Sequence, residues 1–257
     1  MLGFRLPFAR RKGYGMGASG GGNEGAAAVA ASGLLTSLIS YWTLDEASGT
    51  RVDSVTSSAN DLTDNNTVTQ NPGKISNAAQ FTAANLEFLS RADNASLSTG
   101  DIDFTLAGWV YLDSLGAFRV AVGKRENATN REYWFEVNNS DQMRFIVSSN
   151  GALQDGVVTA SSVTLSTGTW YFVVAWHDSV ANTVNIQVNN GTAHSAAFSL
   201  GVFDGGSRFA IGVGESSNYW NGRIDEVGFW KRVLTAAERT NLYNAGTGVT
   251  YPFTGVP

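Results

Sequence analysis

The sequence predicts an all-β protein: a two-sheet antiparallel sandwich with one short C-terminal helix and an extended N-terminal arm. Three observations carry this. Charged residues make up only 15% of the chain while the hydrophobic fraction is 43%, with seven Trp and fourteen Phe, and 29 glycines are available for tight turns. That balance suits many short strands better than a helical bundle. Segments of period-two alternation recur from Leu38 onward, and one helix signature stands near the end.

The chain divides at residue 37. Residues 1–12 carry Arg5, Arg10, Arg11 and Lys12 with no acid, interleaved with Leu2, Phe4, Leu6 and Phe8. The rest of the chain then holds 13 of the 17 basic residues against all 22 acidic ones, a body at −9 behind a cationic tip. Such a tip suits an anionic surface, and the acidic body argues against nucleic acid. Residues 13–25 read as a glycine-rich linker. The alanine- and leucine-rich run 26–39 predicts a short helix broken at Gly33, marginal without a packing partner. It is too short and too interrupted to span a bilayer, and a basic start followed by glycines does not read as a secretion signal.

From residue 38 to 257 the reading is one sandwich. Trp170 to His177 is apolar on both faces, as in a central strand. In Thr183 to Asn189, Val184, Ile186 and Val188 alternate with Asn185, Gln187 and Asn189, as in a sheet with one wet face. The short link between these runs and the Asn190-Gly191 turn after them are hairpin signals. Similar runs occur at 102–112, 131–138, 142–149 and 207–213. Thr235-Ala236-Ala237-Glu238 forms a capping box, Leu242 and Tyr243 continue a helix, and Gly246 is placed to end it.

Several spaced blocks resemble a known family. Tyr41 to Thr50 followed by Asp53, Asn77 to Phe81 then Leu89, Asp103 to Val110, and Asn221 to Trp230 followed by Arg232 to Thr235 and Leu242 to Asn244 look like laminin-G-like domains. These belong to the concanavalin A-like lectin and glucanase superfamily. The resemblance covers roughly residues 38–246 and implies a jelly-roll sandwich. It also implies a structural Ca²⁺ held by hard oxygen ligands where the first and last strands join. Asp45, Asp53 and Asp225 are its candidate ligands, with Glu46 and Glu226 nearby. The alternative is that Asp45 and Asp53 brace turns and that Asp225 pairs with Arg223 or another base.

Catalysis is not expected. Glucanases of this superfamily need two carboxylates astride the glycosidic bond, and in Arg223-Ile224-Asp225-Glu226 an arginine stands at the nucleophile's position. The absence of cysteine removes thiol chemistry and disulfides. His177, beside Asp178, reads as a surface turn rather than part of a Ser/His/Asp set. For sugar binding, exposed aromatics beside amides are the natural candidates: Tyr219 and Trp220 after a polar turn, and Tyr133 in a similar setting.

These features predict a non-enzymatic virion structural protein of decoration, cement or fibre type. Phe4, Arg5, Phe8, Arg10, Arg11 and Lys12 would anchor it to other virion or assembly proteins, and the sandwich would project outward toward cell-surface glycans. The predicted protein is an oligomer without a membrane span. The alternative is an exported bacterial carbohydrate-binding or adhesion domain at the cell surface.

Overall fold

The computed structural model describes residues 1–3, 33–55, 59–215 and 217–254. Phe4, Arg5, Phe8, Arg10, Arg11 and Lys12, expected from the sequence to anchor the chain, lie outside the described residues.

Two antiparallel sheets face each other. One runs β13 (His194–Ala197), β12 (Thr183–Val188), β11 (Trp170–Asp178), β6 (Phe104–Leu112), β15 (Gly222–Trp230), β4 (Asn77–Phe81) and β3 (Thr69–Pro72), with β1 (Leu38–Trp42) also paired to β15. The other runs β10 (Gly156–Thr159), β9 (Met143–Val147), β8 (Asn130–Val137), β7 (Arg119–Asn127), β14 (Phe209–Ile211), β5 (Phe88–Arg91) and β2 (Thr63–Asn65). Between them lies a core that includes Trp42, Phe81, Phe104, Tyr133, Phe145, Phe209, Trp220 and Phe229. The hairpin joining β12 to β13 turns through Asn189 and Asn190, at φ 50° and 54°. This is the left-handed pair that a tight hairpin needs and that asparagine tolerates.

The eight-stranded sheet is covered on its other face as well. Helix α1 (Ala236–Tyr243), with its capping box complete at Thr235 and Glu238, lies there. So does the segment ending in Val249 and Phe253, and together they bury Trp109, Phe172, Trp176 and Trp230 in a second apolar layer. That double covering explains why Trp170 to His177 is apolar on both faces. Residues 33–37, assigned to the arm from sequence, pack on this layer: Leu34 is buried, and its carbonyl accepts from Trp230 Nε1 at 2.7 Å. Among the described residues no helix is long and apolar enough to cross a membrane. The outer face of the seven-stranded sheet has no helix over it among the described residues.

Candidate functional site

On that outer face, alternation along β7, β8 and β9 turns Val120, Trp134 and Ile146 away from the core, where they form a small apolar floor with Val157 of β10. The same alternation brings Glu136 and Arg144 to this face, and register shifts along β7 bring Arg125 there. Glu136 is almost wholly buried and is clamped from three sides. Arg125 Nη1 donates to it at 3.0 Å, Trp134 Nε1 at 2.8 Å, and Arg144 Nη2 takes its other oxygen. The Arg125 guanidinium lies over the Trp134 ring at 4.7 Å, and that of Arg144 over the Phe118 ring at 5.1 Å.

Two loops wall the floor into a groove. In the loop after β14, Gly214 approaches Val120 so closely that a Cβ would sit 2.6 Å from its Cγ2, so a side chain there would push the loop off the sheet. The same loop brings in Glu215, to which Arg131 donates at 2.6 Å and Arg125 at 3.4 Å. Burial pushes the Glu215 carboxyl up, but the hydrogen bonds and charges of these two arginines outweigh it and hold it below the usual glutamate value. The loop between β9 and β10 is tied down by Arg131 Nη1, which donates to Ala152 O at 2.6 Å. The resulting groove, about 240 Å³, is lined by Phe118, Arg125, Glu136, Arg144, Gln154 and Asn218. Phe118 is 42% exposed. An aromatic face, guanidinium donors and two amides suit a polar ligand with an apolar side. They do not suit acid–base catalysis, because both Glu136 oxygens are already engaged.

Of the aromatics expected to meet a sugar, two belong to the core. Tyr133 is fully buried, stacks on Phe229 at 5.7 Å and donates its hydroxyl to Leu97 O. Trp220 is fully buried, with Nε1 donating to Tyr111 O at 3.2 Å. Both satisfy their polar atom on backbone, which lets an aromatic fill a core and removes it from any ligand surface. Tyr219 is half-buried next to Asn218 of the groove, but its ring turns toward Phe88, 6.3 Å away. His177 is likewise not on a surface turn. It is buried on β11, with Nδ1 3.1 Å from Ile102 O.

The candidate calcium ligands are only partly brought together. Asp53 is used up bracing a turn, accepting from Tyr41 N, Val55 N and Asn60 N at 3.0–3.1 Å. Asp45 accepts from Asn77 N at 2.8 Å, and Asp225 from Lys74 N and Ile75 N at 2.8 and 2.9 Å, rather than from Arg223. A bulge in β15 with Glu226 at φ 51° sets Asp225 and Glu226 side by side under the C-terminal layer. Burial pushes the Asp225 carboxyl up to about 8 against hydrogen bonds from the Ile75, Lys74 and Glu226 amides, and the charge of Asp45 adds to the rise. Burial likewise raises Glu226 to about 9, against a hydrogen bond from Tyr41 and with the charges of Asp225 and Asp45 adding. Among the described residues no three carboxylates or imidazoles converge on a position that could hold a metal ion. Asp225 Oδ1 and Glu226 Oε2 are buried here without a hydrogen-bond partner among the described residues, and a calcium ion beside them would need backbone carbonyls to complete its ligands.

A family model described as the concanavalin A-like lectin/glucanases superfamily matches residues 89–238. No curated protein sequence matches the chain. Among solved structures, the binding domain of Paraclostridial Mosquitocidal Protein 1 is similar over 82% of this chain and 52% of that one, with a TM-score of 0.68 at 14% identity. Domain 4 of AbnA, an extracellular arabinanase from Geobacillus stearothermophilus solved with arabinotriose, is similar over 79% of this chain and 96% of that one (TM-score 0.56, 20% identity). The binding domain of botulinum neurotoxin serotype C1 gives 82% and 52%, with a TM-score of 0.60 at 12% identity. The chain thus spans about half the length of the toxin binding domains it resembles, and these likenesses speak for the fold. With the family model covering more than half of its length, the chain belongs to the concanavalin A-like lectin/glucanases superfamily.

Proposed function

We propose that this protein is a non-catalytic, lectin-like carbohydrate-binding module and that its binding site is the groove on the outer face of the seven-stranded sheet. The observation that carries this reading is the groove's lining. Phe118 offers a ring for the apolar face of a sugar, and Gln154, Asn218 and the arginines offer hydrogen-bonding groups for its hydroxyls. This is the recurrent make-up of small-ligand sites, an apolar surface with a few placed polar groups. The AbnA domain solved with arabinotriose supports the reading by its shared fold.

Absence of catalysis rests on Glu136 and Glu215, both held in arginine pairs. A retaining or inverting glycosidase needs one carboxyl able to give a proton and a second free to act as nucleophile or base. The segment before Gly33 serves in this reading as the tether to a larger assembly, and the cationic tip supports a virion as that assembly. The likeness to a domain of an extracellular arabinanase supports the exported reading.

The test is calorimetric titration of the full chain with a panel of oligosaccharides. Phe118→Ala is expected to weaken binding about tenfold or more, an aromatic contact being worth about 1 kcal/mol beyond its buried area. The melting temperature should stay unchanged because the ring is exposed. Affinity unaffected by this substitution would overturn the assignment of the groove.

A further inference from the structure

We propose that the groove selects glycans that carry a carboxylate, such as uronic or sialic acids, and that the Arg144 guanidinium receives it. This rests on the groove being the glycan site. Around the groove stand Arg125, Arg131 and Arg144 against Glu136 and Glu215, three cations to two anions. One guanidinium is in excess, within a chain whose net charge is −5.

The contacts identify which one. Glu215 is shared by Arg131 and Arg125, and Glu136 by Arg125 and Arg144. Arg125 thus touches both acids, lies on Trp134 and has a side chain only 8% exposed. Arg131 is tied to Glu215 and to a backbone carbonyl. Arg144 has a single hydrogen-bond partner among the described residues, Glu136 through Nη2, and its side chain is 23% exposed where it lines the groove.

A guanidinium carries five donors in a planar fork, and carboxylates pair with such a fork through two parallel bonds. Glu136 occupies one corner of the Arg144 fork and Phe118 lies against one face of it, so the orientation is already fixed before a ligand arrives. A sugar ring resting on Phe118 would present a ring-borne carboxylate to this fork, and the carboxylate would neutralise the excess charge.

Calorimetry on the full chain tests this with matched pairs: oligogalacturonate against galacto-oligosaccharide, and sialyllactose against lactose, with inorganic sulfate as the simple-anion control. The acidic member of at least one pair should bind at least about tenfold more tightly, as a charge-assisted bond warrants. Arg144→Gln, which keeps a long polar side chain, should abolish that preference, bringing the acidic sugar's affinity down to that of its neutral partner measured on the same variant, with circular dichroism checking that the variant is folded. Equal affinities within both pairs, a preference that survives Arg144→Gln, or full displacement of the acidic sugar by equimolar sulfate would each overturn the inference. If Phe118→Ala weakens acidic and neutral sugars alike without any acid preference, only the carboxylate assignment fails. If Phe118→Ala changes neither, or no sugar binds, the groove itself is not the site.

Discussion

Replacing the buried Asp225 by asparagine should flatten the dependence of stability on pH. In the folded chain Asp225 holds its proton up to about 8, whereas in the unfolded chain an aspartate loses it near 4. Between those values the native state binds the extra proton, so this contribution to stability is fully present below about pH 4 and is lost as pH rises toward 8. Each tenfold difference in proton affinity is worth about 1.4 kcal/mol, so the four decades at Asp225 set an upper limit of about 5 kcal/mol. The asparagine side chain can still accept from Lys74 N and Ile75 N with its carbonyl oxygen and has no charge to bury.

Urea unfolding at a series of pH values from about 5 to 8 is the assay. The wild-type protein should lose stability across the series, and Asp225→Asn should lose less, by up to about 1.4 kcal/mol per pH unit. Burial also raises Glu132, to about 7, and that contribution has the same sign in both proteins. Glu226 rises partly through the charge of Asp225, so the difference between the two slopes reports Asp225 together with its effect on this neighbour. A wild-type stability that is flat or rises with pH, or equal slopes in the two proteins, would refute the reasoning.

Further outcomes follow from other parts of the molecule. Lys124 is fully buried, 2.7 Å from Asp93 and 2.9 Å from Glu132; Lys124→Met should cost about 3–5 kcal/mol in urea unfolding, and adding Glu132→Gln should recover part of it. At Gly222, with φ 141°, a Cβ would lie only 2.0 Å from Tyr111 O. Gly222→Ala should therefore force β15 off β6, seen as a loss of soluble folded protein or a drop of several degrees in melting temperature. Thr235→Ala removes the side-chain acceptor for Glu238 N at the start of α1 and should cost about 1 kcal/mol. A neutral result would show that packing alone holds that helix.

Much of the architecture was legible because strand periodicity and capping are local. Thr183 to Asn189 alternates over the stretch that becomes β12, and the Thr235–Glu238 box marks the start of α1 to the residue. The site was less legible. Arg125, Glu136 and Arg144 lie on three strands and Glu215 in a loop, so only register and turn geometry make them neighbours. The one local hint was charge at alternate positions within apolar strands, as at Glu136 and Arg144. Tyr133 and Trp220 misled because a strand pattern shows which residues share a face but not whether that face meets the other sheet or water.

By itself the sequence determined the class of fold, its family resemblance, the late helix and the acidic body behind a basic tip. These follow from composition, spacing and short-range hydrogen bonding, which any window of the chain displays. Only the tertiary structure decided that Asp53 braces a turn and that Asp225 and Glu226 lie buried side by side. It also decided that an arginine-clamped groove opens on the seven-stranded sheet. Burial and proximity between residues far apart in the chain arise from how two sheets pair and pack, and no local pattern records them.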